Sequence, residues 1–241
     1  MTNVQMPRCW AVIPAAGKGA RMGAELPKQY LPLLGQTILE HTLLRFTQHP
    51  RISGVVVAVA RDDEHWPLLK LKLPPVMVAP GGTERCQSVL NALHTLSADA
   101  APEDWVLVHD AARPCVHADD ITRLIDQLGQ LGDNPCGGIL GIAVRDTLKR
   151  CSPEGVIEDT VDRTRLWHAL TPQMFRYAAL RQALEAALAQ GILVTDEAQA
   201  IELSGGAVRI VEGRSDNLKI TRPEDLALAA LFLRAQQQVN H

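Results

Sequence analysis

The chain has 241 residues, of which 46% are hydrophobic and 21% are charged, and its formal net charge is −3. This length and composition predict a soluble globular chain that buries enough apolar surface to fold without covalent cross-links. The slightly acidic balance disfavours a nucleic-acid binder, which normally carries a basic excess. Because no apolar run approaches the roughly 20 residues that cross a bilayer, we expect neither nucleic acid nor membrane as a partner.

Cysteine usage and the N-terminal sequence bear on the compartment. Five cysteines are scattered along the chain without a Cys-x-x-Cys pair or a Cys/His ligand spacing. The first ten residues lack the basic and apolar regions of a signal peptide. We therefore expect a protein of the reducing cytoplasm.

Short apolar runs alternate with amphipathic stretches in chain order. The apolar runs are continuous, as is typical of strands buried on both faces: Cys9–Ile13, Val55–Ala60, Val76–Ala79, Trp105–His109 and Gly138–Ala143. Helical periodicity marks Ile38–Gln48, Glu84–Leu96, Asp119–Leu131, Ala178–Gln190, Glu197–Leu203 and Glu224–Gln238. This alternation predicts an α/β, Rossmann-like fold, with a mostly parallel sheet, helices on both of its faces, and one domain over residues 1–241.

Residues 144–171 interrupt the alternation. Two β-prone pieces, Asp146–Cys151 and Val156–Val161, flank a turn at residues 152–155. This pattern predicts a β-hairpin arm with too few apolar residues to form a core of its own. Such an arm packs either on its own domain or on another subunit, and we favour a homodimer formed through it.

A glycine-rich loop, Pro14–Gly23, follows the first predicted strand. Loops in this position direct backbone N–H groups at phosphate oxygens. The loop is not a P-loop, because no Gly-Lys is followed by Ser or Thr, and Met22 takes the third glycine position of a dinucleotide fingerprint. The candidate nucleotide contacts in it are Pro14, Ala15, Ala16, Gly17 and Gly19.

Three cations lie in or just after this loop: Lys18, Arg21 and Lys28. Single lysines and arginines are mostly solvated surface side chains. Three of them beside small residues suit a triphosphate, whose charge must be neutralised before an anionic nucleophile can reach phosphorus. Lys18 is the weakest candidate of the three.

Asp110 follows the predicted strand Trp105–His109, and the carboxyl ends of such strands are where open α/β sheets bind ligands. Mg²⁺ prefers a carboxylate together with phosphate oxygens. An aspartate in this position can equally cap a turn, so position alone leaves both roles open. His109 ends a buried strand, and we expect it to be a hydrogen-bonded core histidine and not a catalytic base.

Further segments follow in order along nearly the whole chain: PAAGKGARM, LPKQYLPLLGQTILEHTL, GGTERCQSVLNAL, VLVHDAARP, VRDTLKR, TVDRTRLWHALTPQ, TDEA and EGRSDNLKITRPEDL. Together they resemble the nucleotidyltransferases that build activated sugars and polyols, and more closely the 2-C-methyl-D-erythritol 4-phosphate cytidylyltransferase family of the non-mevalonate isoprenoid pathway. The resemblance implies a homodimeric enzyme that joins CTP to this polyol phosphate and releases pyrophosphate, with Mg²⁺ as cofactor.

The resemblance also implies roles for individual residues. The expected catalytic cations are Arg21, Lys28 and Lys219, and the expected magnesium ligand is Asp110. Gly81, Gly82 and Ser88 are expected at the nucleotide. The expected contacts to the polyol phosphate are Arg113, Asp146, Thr147, Arg163 and Thr171, of which the residues of the arm reach it across a dimer. Thr83 is predicted to be a helix N-cap, and any role at the base is left open.

Two alternatives remain at this stage. The acceptor could be another polyol phosphate, such as ribitol 5-phosphate, because few residues define it. The chain could also be a nucleotide-sensing module that keeps the loop but not turnover. The presence of the complete set Arg21, Lys28, Asp110 and Lys219 favours an enzyme.

Overall fold

The computed structural model describes residues 7–17, 26–69, 76–130 and 136–239. Its strands are β1 (Cys9–Pro14), β2 (Pro32–Leu33), β3 (Gln36–Thr37), β4 (Gly54–Val59), β5 (Met77–Pro80), β6 (Trp105–Val108), β7 (Gly137–Ala143), β8 (Leu148–Cys151), β9 (Ile157–Val161), β10 (Trp167–Arg176) and β11 (Val208–Glu212). Its α-helices are α1 (Ile38–Thr47), α2 (Arg85–Thr95), α3 (Ala118–Gly129), α4 (Tyr177–Ala189), α5 (Glu197–Leu203) and α6 (Glu224–Val239).

Seven strands form the central sheet in the order β11-β7-β10-β6-β1-β4-β5. Neighbouring strands are parallel except at β10, which runs antiparallel to β6 and β7. The predicted α/β fold with a mostly parallel sheet is therefore confirmed. The sequence pattern missed β10, because its first three residues are exposed and its pairing with β7 shifts register between Ala169 and Gln173.

Side-chain alternation along β1 explains why helices cover both faces of the sheet. Ala11 and Ile13 belong to one apolar cluster, which includes buried residues of α1 and α3. Trp10 and Val12 belong to a second cluster, which includes residues of α2, α4 and α5. Burial of each large apolar side chain contributes about 1.5–3 kcal/mol, so the sheet is held from both sides.

The strand order changes direction at β1. From β1 the chain moves to β4 and β5 on one side, and it then returns to β6 on the other side of β1. Val12 pairs with both Val56 of β4 and Val108 of β6. The loops after β1 and β6 therefore meet at the carboxyl edge of the sheet, which is where such folds bind ligands.

The predicted arm is present as a hairpin. β8 and β9 pair antiparallel and form a separate two-stranded sheet. In these strands only Leu148 and Val161 are half-buried, and the other residues are exposed. The hairpin has no core of its own, as the sequence predicted.

Two further properties bear on the expected class of protein. All five cysteines are free, and Cys9, Cys86 and Cys115 are buried. Across the described ranges, none of the helices has both the length and the apolarity that a bilayer crossing requires.

Candidate active site

The glycine-rich loop leaves β1 along a defined path at residues 15–17. The Ala15 N–H donates to the Ala58 carbonyl at 2.7 Å. The buried amide of Gln29 donates to the carbonyls of Ala15 at 2.6 Å and Gly17 at 3.1 Å. Sequence reasoning did not single out Gln29, although it supports the loop backbone. Lys18, Gly19 and Arg21 lie outside the described residues.

The second glycine pair lies directly against this loop. A Cβ atom on Gly81 would overlap the Ala16 side chain and lie 3.0 Å from the Val59 carbonyl oxygen, so this close approach requires glycine. The Gly82 N–H donates to Ser88 Oγ at 3.0 Å. Ser88 is buried and donates in turn to the Glu84 carbonyl at 3.2 Å. Ser88 therefore holds the backbone of this loop in place.

The prediction that Thr83 caps α2 is wrong. Glu84 is the N-cap residue, and its N–H donates to Gln87 Oε1 at 3.1 Å. The Thr83 hydroxyl donates to the same oxygen at 2.6 Å. The helix begins one residue later than predicted because the Gln87 side chain supplies the capping acceptor.

Asp110 lies at the centre of a cluster of positive charge. Its Oδ1 accepts from Arg85 Nε at 3.2 Å, while Oδ2 accepts from Arg113 Nε at 3.2 Å and lies 3.0 Å from Lys219 Nζ. Burial alone would raise the pKa of Asp110, but Arg85, Lys219 and Arg113 outweigh it and hold the pKa well below its usual range. Asp110 is therefore ionised at neutral pH.

Arg85 links this cluster to α5. Its guanidinium donates to both carboxylate oxygens of Glu197, at 2.7 and 3.1 Å, and Glu197 is buried. Burial disfavours the charge of Arg85, yet Glu197 and Asp110 together raise its pKa above the ordinary value. Neither Arg85 nor Glu197 was predicted as a site residue. The only signal was their presence in the GGTER and TDEA segments, which are too far apart in sequence to indicate contact.

Two cavities meet at this cluster. The first has a volume of about 180 Å³, and its lining includes Pro14, Ala15, Ala16, Gly17, Lys28, Gly82 and Ser88. The second has a volume of about 240 Å³, and its lining includes Arg113, Thr171, Gln173, Thr195 and Asp196. Arg85, Asp110 and Lys219 line both and form their shared wall. Predicted nucleotide contacts thus lie on one side of the wall, and Arg113 and Thr171 lie on the other.

Lys28 extends the positive charge along the first cavity. Its Nζ donates to the Ile220 carbonyl at 3.3 Å, next to Lys219 in the chain. The two predicted catalytic lysines that the structure describes are thus brought to one site from distant parts of the sequence.

His109 is fully buried behind the wall, as expected of a core histidine. Its Nε2–H donates to the Arg113 carbonyl at 2.9 Å, so Nδ1 is the acceptor for the Thr171 hydroxyl at 3.0 Å. The Asp110 N–H donates to that hydroxyl at 3.1 Å. Burial lowers the pKa of His109 to about 4, so the ring is neutral at pH 7. The Thr171 hydroxyl is committed to this network at the floor of the second cavity.

The predicted contacts in the arm do not line the two cavities of their own chain. Asp146, Thr147 and Arg163 are exposed, and within a single chain none of them lines the two cavities described above. The Arg163 guanidinium donates to the Arg145 carbonyl at the base of the arm.

Few of the described side chains at this site could bind a metal ion. Among the described residues, no group of three or more His, Cys, Asp or Glu side chains could hold an ion by itself. Asp110 supplies one ionised carboxylate at the first cavity, whereas both oxygens of Glu197 are taken by Arg85. This set fits Mg²⁺, which is commonly held by one or two carboxylates, substrate phosphates and water.

A glycine-rich loop at the switch point of an α/β sheet, beside two cavities that share a charged wall, can bind a nucleotide next to a second anionic ligand. The fold and this site fit the nucleotidyltransferase class. The family model described as IspD, 2-C-methyl-D-erythritol 4-phosphate cytidylyltransferase, matches residues 9–235.

Relatives extend this match over most of the chain. A 2-C-methyl-D-erythritol 4-phosphate cytidylyltransferase of Pseudomonas putida strain W619 is 57% identical over 223 residues, which are 92% of this chain and 94% of the relative. The enzyme of the same name from Ectopseudomonas mendocina strain ymp is 56% identical over 220 residues, covering 90% of this chain and 92% of the relative.

Solved structures agree with the sequence relatives. A crystal structure of 4-diphosphocytidyl-2C-methyl-D-erythritol synthase superposes with a TM-score of 0.81 at 38% identity, over 95% of this chain and 99% of that one. The 2-C-methyl-D-erythritol 4-phosphate cytidylyltransferase of Francisella tularensis gives a TM-score of 0.80 at 34% identity, over 93% and 99%. This chain belongs to the 2-C-methyl-D-erythritol 4-phosphate cytidylyltransferase family.

Proposed function

We propose that this protein transfers the cytidylyl group of CTP to 2-C-methyl-D-erythritol 4-phosphate and releases pyrophosphate, in the synthesis of isoprenoid precursors. The observation that carries this proposal is the shared wall of Arg85, Asp110 and Lys219 between two cavities. A nucleotide in the first cavity and an acceptor phosphate in the second would approach each other across positive charge.

The reaction is a direct displacement at the α-phosphorus of CTP. An oxygen of the acceptor phosphate forms the new P–O bond while the bond from the α-phosphorus to the bridging oxygen breaks, and its electron pair leaves with pyrophosphate. A phosphate monoester is largely ionised at pH 7, so no general base is required. His109 is buried and its pKa is low, which is consistent with a reaction that uses no general base.

Catalysis rests on positioning and on neutralisation of charge. We assign Lys28 to the nucleotide phosphates in the first cavity, together with Arg21, which lies outside the described residues. Lys219 lines both cavities and would therefore face both reactants. Arg113 lines only the second cavity, where its planar guanidinium suits the acceptor phosphate.

We propose that Asp110 and the nucleotide phosphates hold Mg²⁺. When bound, the ion would neutralise charge on the phosphates and orient them. Its binding competes with the three cations that now contact Asp110, and the triphosphate supplies those cations with new anionic partners.

We further propose a single domain over residues 1–241 that dimerises through the arm at 144–171. Val156, Ile157, Leu166 and Trp167 are exposed apolar side chains concentrated in the arm and its return. A second subunit would bury these side chains. It would also bring Asp146, Thr147 and Arg163 to the acceptor cavity of the partner, which explains why they lie outside the cavities of their own chain.

The decisive experiment is pyrophosphate release measured over a matrix of nucleoside triphosphates and polyol phosphates, with and without Mg²⁺. The expected result is release that requires CTP, 2-C-methyl-D-erythritol 4-phosphate and Mg²⁺ together. Faster release with ribitol 5-phosphate would overturn the acceptor assignment. Nucleotide binding without release for any acceptor would overturn the assignment as an enzyme.

A further inference from the structure

Asn217 is buried where the loop before Lys219 meets the loop that carries Arg113 and the part of β10 that carries Thr171. Its side-chain Nδ2 donates to the Thr171 carbonyl at 2.8 Å. Its main-chain carbonyl accepts from the Arg113 guanidinium at 2.8 Å. Asn217 is 1% exposed, and it does not line either cavity described above. It can therefore act only through its neighbours.

The neighbours of Asn217 are the groups that line the second cavity. Arg113 is held between the Asp110 carboxylate and the Asn217 carbonyl. Thr171 is held by its hydroxyl to Asp110 and His109, and by its carbonyl to Asn217. The amide of Asn217 is therefore a direct side-chain link between the segment that carries Thr171 and the segment that carries Lys219.

The other polar atom of the Asn217 amide, Oδ1, lowers the net stability that this link contributes. Asn217 Oδ1 is buried and has no hydrogen-bond partner among the described residues. Flipping the amide would not satisfy Oδ1, because it would place this acceptor against the Thr171 carbonyl and remove the Nδ2 bond. An acceptor without a protein partner offsets part of the stability that the Nδ2 bond contributes, and the geometric links of Asn217 to Thr171 and Arg113 remain.

We propose that Asn217 is a positioning residue for the acceptor phosphate. Its amide fixes the Thr171 segment, and its carbonyl fixes the direction of the Arg113 guanidinium. The side chains that face the second cavity are therefore aligned with Lys219 before the acceptor enters. This inference rests on the proposed function, because it assigns the acceptor to the second cavity.

The test is the substitution Asn217→Ala in the full chain, with the Michaelis constants for both substrates and the Tm measured. We expect the KM for the polyol phosphate to rise by about tenfold, which corresponds to the loss of one ordinary hydrogen bond, and the KM for CTP to stay within about twofold. Because Ala also removes the unsatisfied Oδ1, the Tm should fall less than the loss of a fully paired buried bond would cause.

Two controls separate positioning from stability. Tyr177→Phe removes a buried hydrogen bond to the Leu93 carbonyl, outside both cavities, and should lower Tm without changing either KM. Asn91→Ala removes the same type of bond as Asn217→Ala, from an asparagine amide to the Pro80 carbonyl next to the nucleotide loop. It should leave the acceptor KM unchanged.

An acceptor KM equal to that of the wild type in folded Asn217→Ala would overturn the proposal, as would equal increases in both Michaelis constants. If the alanine variant does not fold, Asn217→Ser, whose hydroxyl is too short to reach the Thr171 carbonyl, is measured in its place with the same expectations. A wild-type chain that releases no pyrophosphate would instead refute the proposed function, so the two failures are distinguishable.

Discussion

Lys219 Nζ lies 3.0 Å from Asp110 Oδ2, although the two residues belong to loops on different strands and are far apart in sequence. The carboxylate of Asp110 is buried, whereas 40% of the Lys219 side chain is accessible, so solvent weakens the ion pair from the lysine side. Its effect is to hold a mobile ammonium at the boundary between the two cavities.

Asp110→Asn removes the carboxylate that faces Arg85, Arg113 and Lys219. We expect kcat to fall by about 10²–10³, because the cations lose their common partner and Mg²⁺ would lose the protein ligand that we propose for it. The Mg²⁺ concentration for half-maximal activity should also rise, as measured by pyrophosphate release during a magnesium titration. Asp126→Asn, which alters an exposed ion pair with Arg51, is the control and should behave as wild type. An unchanged magnesium dependence in Asp110→Asn would contradict the metal assignment.

Lys28→Ala removes a cation from the first cavity, to which we assign the nucleotide, and leaves the second cavity intact. Because its charge is used most in the transition state, kcat should fall by about 10²–10³ while the KM for the polyol phosphate changes little. Steady-state kinetics with varied acceptor at saturating CTP would measure both. Arg222→Ala, at an exposed cation near the same site, should leave kcat unchanged. An undiminished kcat in Lys28→Ala would reject its role.

Arg163→Ala tests whether the arm acts across a dimer. The side chain is exposed and bonds the Arg145 carbonyl in its own chain, so its loss should not unfold the domain. We expect a higher KM for the polyol phosphate and an unchanged affinity for CTP. Each mixed dimer of Arg163→Ala with Lys28→Ala should regain one intact site of its two, because that site combines Lys28 of one chain with Arg163 of the other. The absence of any such recovery would place Arg163 in the site of its own chain.

His109 makes the stability of the fold depend on pH. Its pKa is about 4 in the folded chain and roughly 6.5 when unfolded, so between these values the unfolded chain binds a proton that the folded chain does not. The free energy of unfolding should therefore fall as pH decreases from 6.5 to 4, by about 1.4 kcal/mol per pH unit at most from this residue. Asp110 adds to this dependence only at the acid end of the window, because below about pH 5 the unfolded carboxyl begins to bind a proton that the folded one, with its depressed pKa, does not bind.

The measurement is urea denaturation in EDTA at several pH values between 4 and 7. His109→Gln should be less stable than wild type at pH 7 but should show a shallower dependence on pH. His94→Gln, at an exposed histidine, is the matched control and should keep the wild-type slope. If His109→Gln retains the full slope, the neutral buried ring is not its source.

Much of the fold was predictable because it depends on local patterns. The continuous apolar runs identified β1 and β6, and the absence of an apolar face in residues 144–171 identified the arm. β10 was missed because its burial comes from neighbouring strands and not from its own composition. Arg85 and Glu197 were missed as site residues for a related reason, since a charged side chain in isolation is usually solvated.

By itself, the sequence determined the class of fold, the family and half of the residues that line the two cavities, because hydrophobic periodicity, glycine spacing and family motifs are local in the chain. The tertiary structure decided how those residues are combined. Only the crossing of the chain at β1 brings the loops after β1 and β6 together, and only the packing of β10 and of the loop after β11 adds Thr171, Asn217 and Lys219 to them. The shared wall depends on side-chain contacts between distant segments, and no local pattern encodes them.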